Sequence, residues 1–300
     1  MKVTILGNNS ALPAFGRHPT SQALQVWGEM LLIDCGEGTQ IQMQRYGLRT
    51  RNLHHIFISH MHGDHYFGLP GLINSMSLLG RVAPLHLYAP AALQPIIEQI
   101  QSTAETELSY PFHFHALPDG GGMLIDNESF SVESFPVEHR IPCYGFKVTS
   151  KTRGRKLLPD KCREYEIPRY YYDKLKQGFD YERMDGTIIK NEWVTDVGPH
   201  PKTYAFCADT IFTDSYLAYT RDADMIYHES TYLEKDADKA TARYHCTAKQ
   251  AAEIARMSNA KKLLLGHYSS KYKDPLEFAA EASAIFENVE ASIEGNTYLI

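Results

Sequence analysis

The stretch Ser59-His60-Met61-His62-Gly63-Asp64-His65 constrains this chain more than any other. Three imidazoles and a carboxylate fall within six residues, directly behind the apolar run Leu53–Ile58. In an extended chain, side chains two apart share a face, so His60 and His62 reach one metal together. Asp64 and His65 follow where a helix can begin, pointing elsewhere and available to a second metal. Imidazole and carboxylate donors without thiolate suit zinc, and also manganese or iron. The competing account is a solvated, His-rich loop. One histidine alone would favour that account; this cluster at a strand end favours a metal site.

Composition narrows the setting. Three hundred residues with 43% hydrophobic content suffice for a sizeable core, in one large domain or two small ones. No apolar run approaches the ~20 residues of a membrane span. The N-terminus, Met1-Lys2-Val3-Thr4-Ile5-Leu6-Gly7, reads as a first strand and not as a signal peptide. Five scattered cysteines (Cys35, Cys143, Cys162, Cys207, Cys246) include no Cys-x-x-Cys pair, which argues for a reducing compartment and against a thiolate zinc site. The expectation is a cytoplasmic protein.

Strand and helix signals alternate along the chain. Strands are expected over 1–7, over Ala23–Val26 and Met30–Ile33 as a hairpin, and over Leu53–Ser59 and Leu85–Tyr88. Helices are expected over Thr39–Tyr46, over Asp64–Gly80 with Leu69, Leu72, Ile73, Met76 and Leu79 inward, and over Leu93–Thr103. The second half repeats this grammar with strands Phe130–Phe135, Tyr144–Val148, Thr203–Cys207, Met225–Tyr227, Lys262–Leu265 and Thr297–Ile300, and helices Thr247–Met257 and Pro275–Glu287. Behind its strands stand His139, Asp209, His228-Glu229 and His267. Ligands of layered α/β proteins bind at that edge. With no linker between the halves, residues 1–300 read as one α/β domain with an internal excursion over 150–197.

Net charge is −6, which by itself discourages a nucleic-acid partner. The excursion departs from that average: Lys151 to Lys176 holds nine basic and four acidic residues. Tyr165, Tyr170, Tyr171, Tyr172 and Tyr181 stand among the lysines and arginines of the excursion. A solvated surface insertion is the plain account. The functional one is an arm gripping a polyanion, basic residues on phosphates and tyrosines stacking on bases.

On these motifs the chain resembles the metallo-β-lactamase-fold hydrolases and, within them, the tRNase Z (ribonuclease Z) family. His60–His65 matches the superfamily signature, and Asp34 in Ile33-Asp34-Cys35-Gly36-Glu37-Gly38 the preceding acidic motif, which supports the site. His139 in Phe135-Pro136-Val137-Glu138-His139-Arg140 is similar to the next ligand, Asp209 in Ala208-Asp209-Thr210 to the bridging carboxylate, and His267 in Leu265-Gly266-His267 to the last ligand. His228-Glu229-Ser230-Thr231, followed by His245-Cys246-Thr247-Ala248, narrows the resemblance to tRNase Z.

The resemblance implies a four-layer αβ/βα sandwich with an inserted exosite-like arm. One zinc would take His60, His62 and His139, the other Asp64, His65 and His267, with Asp209 between them; manganese is an alternative metal. Paired cations clamp a phosphodiester and acidify a bridging water, and Asp64 would also orient the resulting hydroxide. His245, oriented by Glu229, would protonate the leaving alkoxide. Candidate substrate contacts are Arg17, Thr210, Lys174 and Lys176. His54, His55, His86, His113, His115 and His228 read as structural or surface histidines.

The implied activity is removal of the 3′ trailer of precursor tRNA, leaving a 3′-hydroxyl tRNA and a 5′-phosphorylated trailer, by a homodimer. Two segments depart from the family pattern. Pro13-Ala14-Phe15-Gly16-Arg17-His18 stands where a Pro-x-Lys-x-Arg-Asn-like loop belongs, and Ile167-Pro168-Arg169-Tyr170-Tyr171-Tyr172 lacks a Gly-Pro tip. The rivals are a hydrolase of this fold acting on a small phosphodiester or cyclic nucleotide, a thioester hydrolase of the glyoxalase II type, and a catalytically inactive RNA-binding protein.

Overall fold

The computed structural model describes residues 1–152, 154–198 and 200–300. Residues Met1–Ser150 and Lys202–Ile300 form one compact unit, and Lys151–Pro201 form another. In chain order the strands of the first half are β1 (Lys2–Gly7), β2 (Ser21–Val26), β3 (Glu29–Cys35), β4 (Leu53–Phe57), β5 (Leu85–Ala89), β6 (Phe112–Ala116), β7 (Gly122–Asp126), β8 (Phe130–Val137) and β9 (Cys143–Ser150). The smaller unit holds β10 (Lys156–Leu157), β11 (Tyr181–Glu182), β12 (Ile188–Ile189) and β13 (Thr195–Asp196). The chain then closes with β14 (Thr203–Cys207), β15 (Met225–Glu229), β16 (Leu263–Gly266), β17 (Val289–Ala291) and β18 (Thr297–Leu299).

Alternation along β1 to β3 explains the layers. Val3, Ile5, Leu24, Leu31 and Ile33 enter a core shared by two sheets. Leu6, Ala23, Met30 and Leu32, one residue out of phase, enter a second core under helices. These strands are therefore buried on both faces, even though β2 carries Ser21, Gln22 and Gln25 between its apolar residues. One seven-stranded sheet runs β18-β1-β2-β3-β4-β5-β6 and the other β17-β16-β15-β14-β9-β8-β7. Phe57 and Tyr88 of the first sheet meet Phe130, Phe146 and Phe206 of the second in the shared core. Helices Thr39–Arg45, Leu69–Leu78 and Leu93–Thr103 cover the first sheet through Met43, Leu72, Ile73, Met76, Leu93 and Ile97. Ala251, Ala252, Ile254 and Ala255 of helix Ala248–Met257 and Phe278 of helix Leu276–Ala282 pack into the core of the second sheet. The result is the expected four-layer αβ/βα sandwich.

Four local expectations change. The helix expected over Asp64–Gly80 is two helices, Gly63–Tyr66 and Leu69–Leu78, broken at Phe67–Gly68. At the break Gly68 lies so close to the loop after β3 that a Cβ would stand 2.0 Å from the Gly36 carbonyl oxygen. Its N–H donates to the Cys35 carbonyl at 2.9 Å, so backbone contact interrupts the helix. Leu79 caps the second helix and is 77% exposed, not inward. The expected helix Pro275–Glu287 is only Leu276–Ala282. Strands β6, β7 and β17 were not among the expected elements: β6 does alternate, Phe112 and Phe114 packing against the core under the helices, whereas β7 is partly exposed along its length and β17 has three residues.

The smaller unit has a core of its own, Cys162, Ile167, Leu175, Ile189 and Val194. Tyr165, Tyr171, Tyr172 and Tyr181 pack against it. Four of the five tyrosines expected to stack on bases therefore serve packing, while Tyr170 is 81% exposed. Pairing of β10 with β13 and of β11 with β12 completes the unit.

Candidate metal centre

The ends of β4, β8, β14, β15 and β16 deliver the site residues of the larger unit to one rim. His60 and His62 follow β4, and Asp64 and His65 ride the short helix Gly63–Tyr66. Nε2 of His60 and Nδ1 of His62 are 3.0 Å apart, and Nε2 of His139 is 3.2 Å from the same His62 nitrogen. Oδ2 of Asp209 lies 3.7 Å from His60 and 4.0 Å from His139. On the other side, Oδ2 of Asp64 is 3.6 Å from Nε2 of His65 and 3.4 Å from Nε2 of His267. Asp209 reaches this group as well, with Oδ2 3.6 Å from His65 and Oδ1 3.2 Å from His267. Three overlapping donor groups result, His60/His62/His139/Asp209, Asp64/His65/His267 and Asp209/His245/His267, with Asp209 common to the first and third and His267 to the second and third.

The donors fit metal ions on two grounds. Buried Nε2 of His65, Nε2 of His267 and Oδ1 of Asp209 have no hydrogen-bond partner, a costly arrangement unless a cation satisfies them. Spacings of 3.0–4.0 Å among nitrogen and oxygen donors also suit ligands about 2 Å from a shared ion. Cysteine is absent from all three groups. The cluster accordingly fits a metal-dependent enzyme.

A second layer fixes the rings. Asp34, fully buried, accepts from the Ser59 N–H at 2.8 Å, the Ser59 hydroxyl at 3.0 Å and His65 Nδ1 at 2.7 Å. His60 Nδ1 lies 3.0 Å from that hydroxyl, and His139 Nδ1 donates to the Tyr244 carbonyl at 2.9 Å. His267 Nδ1 meets the Thr231 hydroxyl at 3.0 Å. Each bond turns the other nitrogen of the ring toward the centre. Asp34, Tyr244 and His267 adopt left-handed φ values of 56°, 59° and 59°. Such strain in non-glycine residues clusters at functional sites.

Electrostatics follow the packing. Burial and the neighbouring His65 hold the His60 imidazole neutral. Burial opposes charge on Asp64, but His65 and His267 outweigh it and keep the carboxyl well below its ordinary range. Burial likewise opposes charge on His245, yet Glu229, 2.9 Å from its Nδ1, raises the imidazole to about 9. Glu229 is no solvated acid. It is 1% exposed and accepts from the backbone N–H groups of Thr210, Thr231 and Cys246 and from the Thr231 hydroxyl.

Two candidate substrate contacts need correction. Arg17 is 8% exposed, and its guanidinium binds Asn9 Oδ1, the Tyr272 carbonyl and the Lys273 carbonyl at 2.7–2.9 Å. It anchors the N-terminal loop instead of facing substrate. Thr210 is fully buried; its hydroxyl donates to the Ile211 carbonyl and accepts from the Glu138 N–H, while its own N–H supports Glu229. Lys174 and Lys176 lie exposed on helix Tyr172–Lys176 of the smaller unit, one 5.3 Å from the Tyr171 ring and the other paired with Asp173. His18, where the loop departs from the family pattern, is held by Glu294 through Nδ1 at 3.0 Å.

A cleft of about 340 Å³ opens over the centre, lined by His62, Asp64, Asp209 and His245 and also by Phe67 and Arg140. The last two escaped the sequence reading. Arg140 directly follows the candidate donor His139, and Phe67 stands four residues after Gly63, one helical turn; those are the only cues the sequence carried.

Fold and site together define a metal-dependent hydrolase of the metallo-β-lactamase class. The chain is 40% identical to ribonuclease Z of Porphyromonas gingivalis over 293 residues, 97% of this chain and 96% of that protein. It is 37% identical to ribonuclease Z of Parabacteroides distasonis, covering 98% and 97%. The crystal structure of the short form of human tRNase Z superposes with a TM-score of 0.73 at 27% identity, covering 100% of this chain and 99% of that one. Residues 1–157 match the family model described as anti-Pycsar protein Apyc1, a span that holds His60–His65 and His139 but not Asp209, Glu229, His245 or His267. The chain belongs to the ribonuclease Z family.

Proposed function

We propose that this protein is the endoribonuclease that removes the 3′ trailer from precursor tRNA, using two zinc ions or, in their place, manganese. The observation that carries this reading is the buried Glu229–His245 pair at the overlapping donor groups. His60, His62 and His139 would hold one ion, Asp64, His65 and His267 the other, with Asp209 common to both. Bound there, the ions supply charge neutralisation at the phosphodiester and an acidified water.

The chain's own groups account for the rest. Asp64 is itself held by the Ala11 N–H, which donates to its Oδ2 at 2.7 Å, and both residues line the cleft. As water adds to phosphorus and the bond from phosphorus to the 3′ oxygen breaks, that oxygen needs a proton. His245 lines the cleft and carries one, kept in place by Glu229. The products are a 3′-hydroxyl tRNA and a 5′-phosphorylated trailer. The smaller unit is the arm that grips the body of the tRNA, through Lys174, Lys176 and their basic neighbours. Metal-loaded protein should release a trailer from precursor tRNA, and Asp64→Ala or His245→Ala should abolish release while circular dichroism stays unchanged.

The 340 Å³ cleft would also admit a cyclic nucleotide, which keeps a small-phosphodiester reading in view. Turnover of small diesters without cleavage of precursor tRNA would favour it. Among the described residues no helix is long and apolar enough to cross a membrane, and all five cysteines are buried and free; a cytoplasmic site of action accords with both. Homodimer assembly accords with the groove lined by exposed Ile41, Leu78 and Leu79, and sedimentation equilibrium tests it.

A further inference from the structure

Phe67 is an exposed aromatic residue beside the metal donors. Its side chain is 63% exposed and belongs to neither apolar core, whereas the adjacent Tyr66 packs against one of them. The ring is nonetheless held in place. It lies against the backbone of Gly63, between the donors His62 and Asp64, so closely that a Cβ on Gly63 would stand 2.2 Å from the ring. Tyr66 meets it edge-on, with ring centroids 5.0 Å apart. Phe67, His62, Gly63 and Asp64 line the same cleft as His245 and Arg140. Arg140 is exposed there and makes no ion pair among the described residues.

An isolated exposed aromatic residue usually needs no explanation. Here the ring is fixed, open to solvent and one residue removed from the metal donors, and an arginine borders the same opening. A flat apolar surface beside a site for phosphate, with a cation nearby, matches the chemistry of a nucleotide: base on the ring, phosphate toward the metal donors and the guanidinium. We propose that Phe67 is the stacking platform for the nucleobase flanking the scissile phosphate, with Arg140 binding that nucleotide's phosphate. The inference rests on the nucleic-acid reading above, but it concerns recognition of a single nucleotide and not of tRNA.

Calorimetric titration separates the two. Zinc-loaded wild-type protein, Phe67→Tyr and Phe67→Ala are each titrated with AMP and with ribose 5-phosphate, which lacks the base. Stacking predicts that wild type and Phe67→Tyr bind AMP about 10-fold more tightly than ribose 5-phosphate. Phe67→Ala should bind the two equally, with its affinity for ribose 5-phosphate unchanged. The proposal is overturned if wild type shows no preference for AMP, if Phe67→Ala keeps the preference, or if Phe67→Ala loses affinity for both ligands alike, which would mark a structural residue. Arg140→Ala should weaken both ligands in parallel, and unaltered affinity would remove Arg140 from the site. Cleavage of precursor tRNA is assayed on the same preparations. Its absence in wild type would sink the tRNA reading while the ratio of the two affinities still decides this one.

Discussion

Glu229 is buried among hydrogen-bond donors, one of them the imidazole of His245. Five donors converge on its two oxygens, four of them from Thr210, Thr231 and Cys246. Replacing it by glutamine keeps the shape but removes the charge that favours the imidazolium of His245. Glu229→Gln is expected to lower single-turnover cleavage about 100-fold while the zinc content, read by atomic absorption, stays unchanged. Asp34 plays the corresponding part beneath the metal donors, binding Ser59 twice and His65 once. Asp34→Asn should weaken zinc binding about 10-fold or more in competition with a chromophoric chelator. Intact affinity would show that the ring of His65 needs no such partner. At this scale the candidate donors that the structure brings together were legible in the sequence because their residue types and spacing state their chemistry. Arg17 and Thr210 were misread for a physical reason: whether a polar side chain faces substrate or is consumed by backbone groups depends on partners as distant as Tyr272 and Glu138.

Strands β4, β5 and β6 carry a histidine stack that the metal centre does not use. His55 stacks on His86 with centroids 5.3 Å apart, and His86 on His113 at 4.9 Å and on His115 at 5.2 Å. Burial, followed by the charges of His86, His54 and His115, lowers His55 to about 4. A histidine whose folded pKa lies below its unfolded value stabilises the fold fully above about pH 6.5, and that contribution fades as pH falls toward 4. The loss should come to about 2 kcal/mol after allowance for the partial exposure of the ring. Urea midpoints at pH 7 and pH 4.5 would reveal it as a wild-type loss that His55→Phe does not share, metal release being common to both proteins. Equal losses would refute the assignment. The apolar runs of β4 and β5 were legible, whereas the edge strands β6 and β7 were passed over, β6 despite the alternation of Phe112 and Phe114 with His113 and His115 and β7 because it is partly exposed along its length. Sequence periodicity also ran one helix through Phe67–Gly68, because the contact of Gly68 with Gly36 joins segments 32 residues apart.

The larger unit contains both sheets and every candidate metal donor. The smaller unit has its own core and its own strand pairs. Where the chain leaves and returns, the Ser150 N–H donates to the Lys202 carbonyl at 2.8 Å, and the Lys202 N–H to the Ser150 hydroxyl at 2.8 Å. Replacing residues 151–201 by a short Gly-Ser turn should preserve zinc binding and small-diester turnover while raising KM for precursor tRNA at least 10-fold. Unchanged KM would show that the insertion does not serve RNA. The insertion was visible in the sequence as a break in composition. Its internal core was not, since five small apolar contributions spread over 33 residues leave no periodic trace. The paired backbone at Ser150 and Lys202 has a consequence for descent. A segment that starts and stops on adjacent hydrogen-bonded residues can be lengthened, exchanged or lost without altering the register of β9 and β14. Lineages with this scaffold can therefore exchange the insertion while the sheets that carry the candidate donors stay as they are.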